Sequence, residues 1–202
     1  MPELVRAHPL GAWVCLTADG LVANPVPFVW ERTPDDHGRL IGHVARANPV
    51  WRLLGDGAPS VVMFQGPQAY VTPSWYPGKA RHGEVVPTWD YAVVHVHGTA
   101  RAVHETDDLL AIVDALTTHM ESTQAHPWRL ADAPTPYLDR LLRGIVGIEI
   151  RVDRTESKLK LSQDENLADR QGTVQGLQRR GDENSLAMAA LVHEALTRPP
   201  RA

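Results

Sequence analysis

Residues 70–91 hold Tyr70, Trp75, Tyr76, Trp89 and Tyr91, five of the twelve aromatic side chains of the sequence. Pro73, Ser74, Pro77, Gly78, Lys79, Arg81, His82 and Gly83 stand between them. Aromatics threaded through such a Pro/Gly-rich stretch can wall a flat ligand by stacking, or they can pin the loop onto a core. A second group is Gly42-His43-Val44-Ala45-Arg46-Ala47-Asn48-Pro49, where a strand gives way to a helix. Free N–H groups and the guanidinium of Arg46 suit phosphate oxygens there. The plainer alternative is an arginine paired with a carboxylate and an asparagine that only caps. Lys158, Lys160, Ser162 and Gln163 form a third group. The two lysines would share one face of a strand, either as part of an anion site or as guards of an exposed edge. His95 and His97 also share a strand face, with His104 beyond. That spacing occurs in metal sites, but no acidic residue on the strand completes a ligand set, so a pocket or interface role fits better.

The elements that must position these residues are mostly strands. Segments at 11–17, 21–30, 39–44, 60–65 and 92–103 are short, rich in Val and aromatics, and bounded by Gly, Pro and Asp. Asp19-Gly20 predicts a hairpin, and Thr33 to Gly38 a longer turn. Asn48 as N-cap, Pro49 at the first helical position and Gly55 as stop predict a short helix. Thr135 to Gly144 repeats that pattern, with Leu138, Leu141 and Leu142 as its buried face. A longer helix is predicted from Thr106 to Ser122 on Leu109, Leu110, Ile112, Val113 and Leu116. Ile148, Ile150 and Val152 predict another strand. The segment 158–163 should feed a polar helix from about Asn166. A last helix, from about Asn184 to Thr197, carries Leu186, Ala189, Ala190 and Leu196. Consecutive strands with few helices between them argue for an antiparallel barrel or sandwich. The expectation is one α+β domain over residues 1–202, with its helices toward the C-terminus.

Composition narrows the function. With 43% apolar and 22% charged residues, the chain is globular rather than disordered. A net charge of −4 gives no general nucleic-acid footprint. The single cysteine, Cys15, excludes a disulfide framework and a cysteine zinc cluster, and it suits a reducing, cytoplasmic home. No apolar run reaches membrane-spanning length and no leader pattern opens the chain. Nucleophile-elbow, phosphate-loop, GxGxxG and HExxH motifs are all absent.

The segments GHVARANPVW (42–51), FQGPQAYVTPSWY (64–76), VPTWDYAVVHVHG (86–98), RLLRGIVGIEI (140–150) and KLKLSQDENLADRQGTVQGL (158–177) occur in this order. Together they resemble the PaiB-type family, described as FMN-binding negative transcriptional regulators and related to the pyridoxamine-phosphate-oxidase-like split-barrel flavoproteins. The resemblance implies an FMN-binding split β-barrel with peripheral helices. It places Asn24, His43, Ala45, Arg46 and Asn48 at the flavin phosphate, and Trp89, Tyr91 and His95 near the ring at a dimer interface. Lys158, Lys160, Ser162 and Gln163 would approach from the C-terminal strand. Two positions depart from the family pattern: Pro25 replaces a common histidine, and Asp90 replaces a usual asparagine.

What this implies is a homodimeric FMN-binding oxidoreductase or flavin reductase. A regulator or sensor using the same pocket, and a haem-binding split barrel, are the alternatives. DNA enters as a partner only through the family description. Asp90 would lie either beside the flavin or against Arg81 or Lys79.

Overall fold

The computed structural model describes residues 2–32 and 37–197. Most of the turn expected over Thr33 to Gly38 therefore lies outside the described residues. The chain divides into two compact units. Met1–Phe64 with Val94–Glu156 form the first, and Gln65–Val93 with Ser157–Ala202 the second.

The first unit begins with helix α1 (Pro2–Ala7) and the hairpin β1 (Leu10–Thr17) and β2 (Gly20–Pro27). Gly20 takes φ 102°, a conformation that glycine adopts without strain, and Thr17 Oγ1 donates to the Gly20 carbonyl at 3.0 Å. Strands β3 (Val29–Glu31) and β4 (Arg39–Ala45) follow, then a short 3-10 helix over Pro49–Leu53. Asn48 caps that helix, its Oδ1 accepting from the Val50 N–H at 3.0 Å. Three long strands complete the set: β5 (Ala58–Val71), β6 (Thr88–Val103) and β7 (Ile145–Lys160). The sheet order is β2-β1-β5-β6-β7-β4-β3; β1 pairs antiparallel with β2 and β5, and β4 antiparallel with β3 and β7.

Period-two alternation sends Trp13, Cys15, Phe28, Leu40, Val62, Phe64, Val96, Ile148 and Ile150 inward to a common core. Trp13 and Phe64 each meet the ring of Phe28 edge-on at 6.4 Å. Helix α3 (Thr106–Glu121) lays Ile112 and Leu116 on Ile41 and Val103. Gly147 allows this close approach, because a Cβ there would stand 2.8 Å from Ile112 Cδ1. The opposite parity of the β1–β2 hairpin faces outward and is apolar throughout. Leu10, Ala12, Val14 and Leu16 stand opposite Pro27, Pro25, Ala23 and Leu21, with Val61 and Met63 alongside on β5. Leu10, Leu16 and Leu21 remain 64%, 53% and 75% exposed.

The second unit contains the later part of β5, the start of β6 and the end of β7, with α2 (Pro77–Arg81), α5 (Leu167–Arg180) and α6 (Glu183–Thr197). Its core joins Ala69, Leu161, Val174, Leu177, Met188, Ala189 and Val192. Trp75 lies against the Gly172 and Gly176 face of α5. A Cβ on Gly172 would meet the Trp75 carbonyl oxygen at 2.1 Å, and one on Gly176 the indole ring at 2.1 Å. Arg180 covers the indole at 4.7 Å and donates to the Tyr70 carbonyl at 2.8 Å. All three lysines lie in this unit, whereas the buried Cys15 belongs to the first.

Several expectations are refined. Strand β5 continues through Gly66 and Pro67 to Val71, and β6 starts at Thr88. Tyr70, Trp89 and Tyr91 are thus strand residues, and only the region around Trp75 and Tyr76 is loop-like. On α4 (Thr135–Leu142) Leu142 is buried but Leu141 is 48% exposed. On α6 the inward face is Ser185, Met188, Ala189 and Val192, while Leu186 and Ala190 face outward. Helices α1 and α2 had no counterpart in the pattern reading.

Candidate functional site

In the first unit, His43 and Ala45 sit at the end of β4, opposite Gly147 and Ile145. Burial pushes the His43 imidazole below its ordinary value, so it is neutral at pH 7. The chain then turns through Arg46. Its N–H donates to Gly144 O at 2.8 Å, Nε to Arg143 O at 2.7 Å and Nη2 to Ile145 O at 2.8 Å. These are three successive carbonyls at the C-terminal end of α4, where a cation is favoured by the helix dipole. Arg46 is therefore a clamp between two segments, with Nη1 left to take another acceptor. The indole of Trp51 donates back to Arg46 O at 3.1 Å.

Asn48 also reaches β2. Its Nδ2 donates to Asn24 Oδ1 at 2.7 Å. Asn24 Nδ2 is buried and has no partner. A buried amide donor without an acceptor costs about 1–3 kcal/mol, so an acceptor brought to this position would be stabilised. Among the residues read from sequence as phosphate ligands, Asn24 and Asn48 are joined directly, and Arg46 follows the same strand end.

The second unit gathers another set. Asp90 is fully buried and accepts from the Ser162 N–H at 3.0 Å and from Ser162 Oγ at 2.6 Å. Lys160 Nζ stands 3.7 Å from the carboxylate, donates to Trp89 O at 2.8 Å, and is also hydrogen-bonded to Thr88 Oγ1. Asp90 is thus paired with Ser162 and Lys160, and its partners are not Arg81 or Lys79. Burial raises the Asp90 carboxyl above its ordinary value, opposed by the Ser162 and Lys160 donors. Ser162 holds the left-handed φ of 52°, the only such non-glycine among the described residues. That strained turn lets both its N–H and its hydroxyl reach one carboxylate. Beside it, burial and then the charges of Glu165 and Asp90 push the Tyr76 phenol up to about 12.

Gln163 spends its amide within its own turn. Oε1 accepts from Leu161 N at 2.5 Å and Nε2 donates to Leu159 O at 2.9 Å. Lys158 Nζ lies 5.8 Å from the centre of the Tyr91 ring. Trp89 meets Tyr70 edge-on at 6.0 Å, and the two remain 53% and 40% exposed. Trp89 and Tyr91 thus keep ring surface available, while Ser162, Gln163 and Lys160 are held by protein partners. In the first unit His95 is half-buried on β6, on the same face as His97. His97 Nδ1 lies 3.2 Å from Arg154 Nη2, and its Nε2 is 3.4 Å from Glu156 Oε1. Burial, then the charge of Arg154, lowers its pKa, so that imidazole is neutral at pH 7. Sequence reasoning missed Glu156 and Arg154 as its partners, since strand β7 is brought to β6 only by the fold.

Residues 1–154 match the family described as "Putative FMN-binding domain", and the chain belongs to that family of split β-barrel FMN-binding domains. Among its relatives is the "Protease synthase and sporulation protein PAI 2" of Bacillus subtilis, the PaiB type. It is 32% identical over 194 residues, covering 96% of this chain and 90% of the relative. A protein of Emericella nidulans is 31% identical, covering 96% of this chain and 91% of that one. The fold resembles the FAD and haem binding protein of Mycobacterium smegmatis, with a TM-score of 0.57 at 21% identity over 79% of this chain and 69% of the other. A conserved protein of Mycobacterium tuberculosis gives a TM-score of 0.53 at 15% identity, over 82% and 86% of the two chains. These two likenesses concern the fold alone. No described helix is long and apolar enough to cross a membrane.

Proposed function

We propose that this protein is a homodimeric FMN-binding oxidoreductase of the flavin reductase kind. The observation that carries the reading is the buried, unpartnered Nδ2 of Asn24, joined through its Oδ1 to Asn48. It lies within the segment that the FMN-binding family model matches. Asn24 and Asn48 would hold the phosphate end, with Nη1 of Arg46 as the charged donor. Trp89 and Tyr91 offer ring surface for stacking, and His95, half-buried on its strand, offers an imidazole donor or acceptor. Bound FMN supplies reversible two-electron chemistry, and this chain supplies binding, orientation and exclusion of water. The outward apolar face of β1, β2 and β5 supports the dimer, because a continuous apolar sheet surface without a charged residue favours burial against a second copy.

The test is the visible spectrum of the purified protein, followed by FMN titration monitored through flavin fluorescence. A yellow protein that oxidises a reduced nicotinamide nucleotide in the presence of FMN supports the reading. A colourless protein that does not quench flavin fluorescence overturns it, and a Soret band would assign the pocket to haem. Flavin binding without turnover would remove the reductase part and leave a sensor.

A further inference from the structure

Within the first unit, α1, β3 and the last turn of α3 enclose a cleft of about 310 Å³, whose lining includes Glu3, Val5, Arg6, Phe28, Trp30 and His119. None of the residues offered above to the flavin lines it. We propose that this cleft binds a free α-amino acid with an apolar side chain. Its carboxylate sits on Arg6, its ammonium on Glu3 and His119, and its side chain on the floor of Trp30 and Phe28. The inference goes beyond the flavin reading and does not rest on it.

The floor is preformed. Val5 and Phe28 are each 1% exposed, and the Phe28 ring is held edge-on by Trp13 and Phe64. The indole N–H of Trp30 donates to His37 O at 3.0 Å, so its polar atom is satisfied and the ring offers the cleft only carbon. Such a floor takes an aromatic or branched side chain, and the volume, at the lower end for small-molecule sites, suits a guest of one residue's size. The rim is polar and unspent. His119 Nε2 lies 2.9 Å from Arg6 O. A carbonyl only accepts, so Nε2 carries the proton, and Nδ1 of the neutral ring is an acceptor with no partner among the described residues. It calls for an N–H or O–H on the guest. Glu3 and Arg6 stand one helical turn apart on α1, yet they form no ion pair with each other or with another described residue. A carboxylate and a ring nitrogen that both accept suit an ammonium, which only donates, and a guanidinium takes a carboxylate in pairs. A neutral apolar guest would leave both rim charges unused. A phosphate ester would meet Glu3 as a like charge. The α-amino acid is the guest that answers both charges, the free acceptor and the apolar floor together.

Glu3 and Arg6 are exposed, so Glu3→Gln and Arg6→Met test binding without touching the core. The probe is L-phenylalanine, titrated calorimetrically into the full chain. Three partial analogues accompany it: 3-phenylpropanoate lacks the ammonium, phenethylamine lacks the carboxylate, and glycine lacks the side chain. L-phenylalanine should bind the wild type more tightly than any of the three. Each variant should weaken it about five- to tenfold, the worth of a charge-assisted contact at a partly exposed rim. Arg6→Met should also weaken 3-phenylpropanoate but not phenethylamine, and Glu3→Gln the reverse. Absence of L-phenylalanine binding at millimolar concentration, an affinity unchanged in both variants, or an analogue bound as tightly as L-phenylalanine overturns the proposal. Displacement of bound L-phenylalanine by FMN would put it in the flavin pocket and overturn the proposal as well.

Discussion

Asp90 shows how far a single residue's role depends on distant partners. Its donors, Ser162 N–H and Oγ, are 72 positions away in sequence. Proximity along the chain points instead to Lys79 and Arg81, which is why pattern reading alone could not find them. The same holds for Arg46: an arginine after a strand reads as a phosphate ligand, whereas two of its nitrogens hold carbonyls 97 and 99 positions away. Asp90 also has a consequence for stability. Its folded pKa lies above the ordinary 3.8, chiefly through burial. Between those two values the folded chain binds more protons than the unfolded chain, so stability contributed by this group falls as pH rises through that window. Asn at this position cannot lose a proton and does not share the fall. Urea unfolding at pH 4 and pH 7 should therefore show Asp90→Asn more favourable, relative to wild type, at pH 7 than at pH 4. Equal differences at the two pH values would remove the burial argument.

Among the elements, those built on local signals were legible. Asp19-Gly20 forms its hairpin, Asn48 and Pro49 open a short helix, and the apolar period of α3 selects Leu109, Ile112 and Leu116. Elements that depend on tertiary pairing were not. Gly66-Pro67 reads as a strand breaker, yet β5 passes through it. In α6 the alanine-rich sequence has a weak period, and Met188, fully buried, sets the true face. Helix α5 carries the sharpest packing constraint. Ala at Gly172 would gain about 1 kcal/mol of helix propensity. Its Cβ would stand 2.1 Å from the Trp75 carbonyl oxygen, and main chain does not yield as a side-chain end does. Overpacking costs about 1–3 kcal/mol and more against backbone, so Gly172→Ala should destabilise the protein by about 2 kcal/mol. A chemical-denaturation midpoint equal to or above that of wild type would show that α5 can shift away from Trp75.

For the whole molecule, the outward face of β1, β2 and β5 sets the state of association. Leu21 is three-quarters exposed on β2, at the edge of the sheet order, so a substitution there should change the stability of one chain by no more than about 0.5 kcal/mol. In a symmetric pair each copy would bring the same residue to the contact, and Leu21→Glu would place two carboxylates in an apolar interface. Light scattering should give the mass of two chains for the wild type and of one for Leu21→Glu. A wild-type mass of one chain at micromolar concentration, or a variant that stays double, would assign this face another role.

The two units also differ in the reagents they answer to. Cys15 is the chain's one thiol, 1% exposed in the first unit, and Lys79, Lys158 and Lys160 are its side-chain amines, all in the second. Maleimide modification of Cys15 therefore senses breathing of one unit, and acylation of Lys160 that of the other, with no engineered label. Lys160, bound to Trp89 O and Thr88 Oγ1, should acylate more slowly than Lys158, which only overlies a ring. If thiol and Lys160 modification rise together as denaturant is added, the units open as one cooperative body; if one precedes the other, each is a separate unfolding step.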